Sequence, residues 1–318
     1  MSSEAEIRMY KMLAESGDAG AQNRLGLISQ NGEGVPQDDA EAIKWYLKAA
    51  QQGYAAAQNN LALMYQNGRG VQQDDAEAIK WYLKAAQQGY ADAQNNLGLM
   101  YQNGKGVPQD DAEAIKWYLK AAEQDSADAL NNLGLMHKNG KGVPQDDAEA
   151  VKFYRKAAEQ GSADAQNNLG LMYQNGKGVK QDNAEAIRWY LKAAQQGSAD
   201  AQNNLGWIYQ SGKGVPQDDA AAIKWYLKAA EQRNAIAQYN LGLMYSRGLQ
   251  DYAEAARWFL KAAEQGIADA QFNFGLILEE GRGVQQDSDS AAMWYSEAAE
   301  QGHAEAQLRL EKMKDKEL

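Results

Sequence analysis

Tryptophan recurs along this chain on a fixed ruler: Trp45, Trp81 and Trp117 stand 36 residues apart, Phe153 holds the next mark, and Trp189 and Trp225 follow at the same interval. Nearly the same 36 residues surround each mark, as in AQNNLGLMYQNGKGVPQDDAEAIKWYLKAAEQDSAD. A period of this length is the signature of a supersecondary unit stacked on copies of itself. Eight units run from Ala21 to Glu305. The seventh is short: Trp258 follows Trp225 by 33 residues because GKGVPQD has contracted to GLQD between Gly248 and Asp251, and Trp294 restores the 36-residue spacing.

Each unit reads as two helices. In the first, Ala93, Leu97, Met100 and Tyr101 fall at i, i+4, i+7 and i+8, one apolar stripe of a helix. Gly104 suits the left-handed residue just past a helix end, and Gly106 loosens the connector that follows. The second helix opens on Asp110 with Glu113 three residues on, a D-x-x-E capping box repeated at Asp38, Asp74, Asp146 and Asp182. It then places Ala114, Trp117, Tyr118, Ala121 and Ala122 on one face and turns Lys116, Lys120 and Glu123 to water. The tryptophan ladder is expected in the core, where truncating one ring to alanine would cost about 3 to 5 kcal/mol.

One pair of short helices leaves apolar faces bare, so each pair must stack on the next into an all-α solenoid. Residues 21–305 are expected to form one continuous array. Residues 1–20, with Met9 and Tyr10 at the aromatic positions, match a lone second helix as N-terminal cap, and residues 306–318 match a lone first helix that turns charged as C-terminal cap. The pattern carried by Ala93, Leu97, Gly98, Tyr101, Gly104, Gly106, Val107, Asp110, Ala114, Trp117, Tyr118, Ala121 and Ala122 resembles the Sel1-like repeat (SLR) family, relatives of tetratricopeptide proteins. The resemblance covers essentially the whole chain. It implies a right-handed superhelix and work as an adaptor between proteins. A cysteine-rich secreted branch of that family is associated with penicillin-like compounds, and a chain with zero cysteines stands apart from it. His137, Ser29 and Leu278 depart from the usual tyrosine, and unit seven lacks the G-x-G-V connector.

Composition narrows the function. A net charge of -11 repels phosphate, which counts against nucleic acid and anionic lipid and favours a basic partner. No run of about 18 apolar residues predicts a membrane span, and the opening MSSEAEIRMY has no basic leader, so a cytoplasmic location is expected. Catalysis needs unique convergent groups, whereas nearly every polar residue here recurs at one structural position. His137 is expected as a core substitution and His303 has no nearby partner in sequence, so no triad or metal set is expected, and no cofactor. The QDD acids fit capping better than a calcium loop, and NGKGV lacks the ending of a phosphate loop.

Function is therefore expected on the concave face, which the resemblance to tetratricopeptide geometry implies is lined by the first helices. Three rows turned away from the core stripe are the candidates: Asn59, Asn95, Asn131, Asn167 and Asn203; Leu63, Leu99, Leu135 and Leu171; and Gln66, Gln102 and Gln174. An amide row pairs with an extended peptide backbone and leucines add apolar contact, though simple solvation explains such rows as well. Trp207, Tyr239 and Phe272 interrupt the rows and form a candidate anchor for a partner side chain, or else seal the groove beside the shortened unit. The leading reading is a noncatalytic scaffold for a protein or peptide. The alternatives are a penicillin-binding or hydrolytic SLR-type enzyme and a self-associating structural spacer.

Overall fold

The structure is a computed structural model that describes residues 4–317, with side chains as far as Met313. The first three residues of the expected N-terminal cap and Leu318 of the C-terminal one lie outside the described residues. Among the described residues every regular element is helical.

The helices form two compact units, the first ending at Ser162 and the second beginning at Ala163. In the first unit α1 (Glu4–Glu15) precedes four helix pairs: α2 (Ala19–Asn31) with α3 (Asp39–Gln51), α4 (Ala55–Asn67) with α5 (Asp75–Gln87), α6 (Ala91–Asn103) with α7 (Asp111–Ala122), and α8 (Ala127–Asn139) with α9 (Asp147–Glu159). In the second, four more pairs follow: α10 (Ala163–Asn175) with α11 (Asn183–Gln195), α12 (Ala199–Ser211) with α13 (Asp219–Glu231), α14 (Ala235–Leu243) with α15 (Tyr252–Ala263), and α16 (Ala268–Glu280) with α17 (Ser288–Glu300). The lone α18 (Ala304–Glu317) closes it. Within each unit every helix packs on its sequence neighbours, the local stacking of a solenoid.

Tyrosine rather than tryptophan holds the deepest place. Tyr46, Tyr82, Tyr118, Tyr154, Tyr190, Tyr226 and Tyr295 are fully buried. In most repeats the second helix presses its tyrosine into the hollow left by a glycine on the first: a Cβ on Gly98 would stand 2.6 Å from the Tyr118 ring, and one on Gly206 2.5 Å from Tyr226. The tryptophans lie one residue earlier, at the rim. Trp81, Trp117 and Trp189 are buried, Trp45 and Trp225 only partly, and a lysine three residues on covers each ring, with its ammonium 3.9 Å from the Trp81 centroid and 4.4 Å from that of Trp225.

Two details of the connector differ from the sequence expectation. Asp110 does cap α7, accepting from the Glu113 N–H at 2.9 Å, but its own N–H donates to the Tyr101 carbonyl at 3.0 Å. Glu113 therefore has no amide to return to and pairs with Lys116 at 2.7 Å, so only half of the box forms. Gly106 does not loosen the chain. Its φ is 70°, and a Cβ there would lie 2.5 Å from the Asp75 carbonyl oxygen of the preceding repeat, so the residue permits a close approach. Asp110→Ala is expected to cost about 1 kcal/mol, read as a lower urea midpoint with unchanged slope.

The contracted seventh repeat keeps its helix pair by changing helix type. After α14 the backbone widens into a π-helix over Met244–Leu249, and Gln250 takes a left-handed φ of 56°. The turn ends on Asp251, which caps α15 by accepting from the Glu254 N–H at 3.1 Å.

Candidate functional site

Asp92, Asn96, Leu99 and Asn103 follow one another at i, i+4, i+7 and i+11, and each is exposed or half-exposed, so this stripe is the open face of α6. The leucine row belongs to it: Leu63, Leu99, Leu135 and Leu171 are all half-buried.

The first asparagine of each pair lies deeper. Asn59, Asn95, Asn131 and Asn167 are buried and Asn203 is half-buried. Their carbonyl oxygens receive the second asparagine of the next repeat: Asn96 Nδ2 donates to Asn59 Oδ1 at 3.1 Å, Asn132 to Asn95 at 2.9 Å, Asn204 to Asn167 at 2.9 Å and Asn240 to Asn203 at 3.1 Å. These amides tie one first helix to the next. The asparagines that face outward are the second ones, such as Asn60, Asn96 and Asn132, which the sequence reading passed over. The signal was the four-residue stripe from Asp92, which the first asparagine does not join.

The glutamine row is also tied. Gln66, Gln102 and Gln174 are half-buried, and their Oε1 atoms accept from the Tyr82, Tyr118 and Tyr190 hydroxyls at 2.6, 2.6 and 2.7 Å. A second glutamine set works across repeats. Gln58 Nε2 donates to the Ala50 carbonyl of the preceding repeat at 3.0 Å, while its Oε1 accepts from Gln88 at 2.7 Å. Being buried, these amides are satisfied on both ends, as the interior demands.

Trp207, Tyr239 and Phe272 do not meet. Among the described residues no ring contact joins them, and each packs with different neighbours. Trp207 is half-buried beneath the Lys213 ammonium, 4.5 Å from its centroid. Tyr239 sits 5.9 Å from Phe259, and burial pushes its phenol up from the ordinary value. Phe272 is buried between Tyr295 at 5.7 Å and His303 at 4.6 Å. His303 itself caps α18: its Nδ1 accepts from the Ala306 N–H at 3.2 Å, and Nε2 faces Asp269 at 3.3 Å.

Among the described residues no group of three or more His, Cys, Asp or Glu is arranged to hold a metal ion. No described helix is long and apolar enough to cross a membrane.

The Sel1 repeat profile matches eight times, at residues 19–54, 55–90, 91–126, 127–162, 163–198, 199–234, 235–267 and 268–303. A Sel1 repeat protein from Oxalobacter formigenes is 37% identical over 96% of this chain and 90% of its own, with a TM-score of 0.71. The protein c5321, a protective antigen of uropathogenic Escherichia coli displaying an SLR fold, is 37% identical over 97% of this chain and 74% of its own, with a TM-score of 0.65. Yeast Tom70, at 16% identity and a TM-score of 0.53 over 95% of this chain and 65% of its own, shares the fold alone. No curated protein matches the chain.

Proposed function

Because the chain belongs to the Sel1 repeat family, whose helical-repeat fold commonly serves protein interaction, we propose that it is a noncatalytic scaffold holding a protein or peptide on its first-helix surface. One observation carries this reading: most of the recurring glutamines, asparagines and capping aspartates are spent on caps and staples, while the leucine row stays half-open on the same face as the second asparagines. In this reading Asn59, Asn95, Asn131, Asn167 and Asn203, with Gln66, Gln102 and Gln174, set the spacing of the surface. Leu63, Leu99 and Leu135 in one unit, and Leu171 and Trp207 in the other, touch the partner. Tyr239 and Phe272 act from below, by supporting the helices that present it.

A partner of basic character fits best. Asp92 and Asp128 in the first unit, and Asp164, Asp200 and Asp269 in the second, are exposed at the start of their helices, and the chain carries a net charge of -11. Affinity capture by the wild-type chain, compared with a Leu63→Asn, Leu99→Asn, Leu135→Asn variant, tests the assignment. The variant is expected to keep its helical circular dichroism and lose at least tenfold in captured partner; equal capture would remove the leucines from the contact. A Trp207→Leu, Tyr239→Asn, Phe272→Asn variant is expected to lose thermal stability first, as packed rings would.

A further inference from the structure

The fourth repeat breaks the pattern at several linked positions. Leu130 replaces the stapling glutamine, His137 the tyrosine, Lys138 the glutamine, Phe153 the tryptophan and Arg155 the leucine. Lys138 has the sharpest consequence. In six other repeats the buried tyrosine hydroxyl finds an acceptor sixteen residues earlier: Gln30, Gln66, Gln102, Gln174, Gln210 or Glu279, at 2.6 to 2.8 Å. In the fourth repeat that position holds a lysine, which only donates. Tyr154 is fully buried and its hydroxyl has no partner, and neither has the buried Nδ1 of His137. Lys138 is half-exposed, and among the described residues no carboxylate pairs with it, whereas Arg24 on α2 has Glu33 at 2.8 Å.

A buried hydroxyl without a partner and, sixteen residues earlier, a half-exposed lysine thus stand at the two positions where the fold elsewhere pairs a hydroxyl with its acceptor. We propose that Lys138 and Tyr154 form a carboxylate-binding point on the fourth repeat, with His137 at its wall. Lys138 is the movable part: its flexible stem swings outward, and a carboxylate oxygen enters the place that a glutamine Oε1 occupies in the neighbouring repeats. Tyr154 and Lys138 then donate to that oxygen and its twin, giving charge-assisted bonds to groups that are otherwise unmatched in the interior. His137, stacked on Phe153 at 5.4 Å, is held against the site and reports on it. Asp146 and Asp147, at the start of α9, oppose the incoming charge. Position 147 tolerates an amide, since Asn183 stands there in the next repeat. The carboxylate comes either from a free organic acid or from an acidic side chain of a bound peptide.

The chain has two histidines, so their ring signals in nuclear magnetic resonance separate the site from a control. Acetate and a blocked glutamate peptide are titrated separately against the full chain at constant ionic strength, with chloride as the reference anion. Saturable movement of the His137 signals, with those of His303 unmoved, is expected for at least one probe. Response to acetate assigns the site to small acids as well; response to the peptide alone assigns it to a partner's side chain. Lys138→Gln is expected to raise the melting temperature, by restoring the tyrosine bond, and to weaken binding at least tenfold. Tyr154→Phe is expected to weaken it severalfold, and Asp147→Asn to tighten it severalfold. No His137 response to either probe, or an undiminished response in Lys138→Gln, would overturn the proposal.

Discussion

Tyr226→Ala is expected to lower stability by about 4 kcal/mol, roughly twice the loss from Trp225→Ala one residue away, although tryptophan is the larger ring. Tyr226 is fully buried over Gly206, its hydroxyl donates to Gln210 at 2.7 Å, and its removal leaves both a cavity and an unmet acceptor. Trp225 is partly exposed with Lys228 across its outer face, so water and lysine already hold part of its surface. Urea denaturation followed by circular dichroism measures both variants. Equal losses would show that the rim and the hollow contribute alike. Gly206→Val tests the same contact from the other side, with a cost of about 3 kcal/mol from overpacking. The second repeat sets the tolerance: Ala62 stands at the glycine position there, and Tyr82 above it is still fully buried and still bonded to Gln66. One methyl is accommodated, so Gly206→Ala is expected to cost far less than Gly206→Val.

Alkali is expected to unfold the chain abruptly. Burial pushes the phenols of Tyr46, Tyr82, Tyr118, Tyr154, Tyr190, Tyr226 and Tyr295 above their ordinary value, and Glu279 adds to the shift at Tyr295 by accepting a hydrogen bond from its hydroxyl and repelling the phenolate. The folded value is the raised one. Below a pH of about 10 both states keep their protons and folding loses nothing, and above it the unfolded chain releases protons that the folded chain retains. Stability then falls by up to about 1.4 kcal/mol per pH unit for each phenol still held. Phenolate absorbance from these seven rings is expected to appear together with the loss of helical signal. Ionisation of all of them in a chain that stays helical would contradict the packing.

Period, helix pairing and helix ends were legible in the sequence because each rests on a local rule. Glycine after the amide, aspartate before the acid and apolar residues at helical spacing act within one turn. The depth of each side chain was not legible, because it depends on the neighbouring helix. Trp117 is buried as its size predicts, but the deeper hollow belongs to Tyr118, twenty residues beyond Gly98; that paired recurrence was the available clue. The asparagine pair was misassigned for a similar reason. Asn95 and Asn96 have the same chemistry, and only the partner 37 residues away, which makes one a buried acceptor and the other an outward donor, tells them apart. The three aromatics near the end of the array were grouped because they fall at adjacent columns. Their separate packing follows from Asn95-type columns lying under the surface and the Leu99-type column lying on it.

The glutamine and asparagine staples span fixed intervals: Gln88 to Gln58 over 30 residues, Asn96 to Asn59 over 37. Inserting or removing whole copies of the unit re-forms each such bond at the splice, so a gene that slips by one copy yields a protein of new length with no stranded amide. A slip of any other size strands several at once, unless the backbone finds a detour. The seventh repeat records one: three residues shorter, it still joins Gln265 to Gln238 at 2.6 Å, with the π-turn taking up the difference. Reach is thus free to drift by copy number while the texture of each copy is held constant.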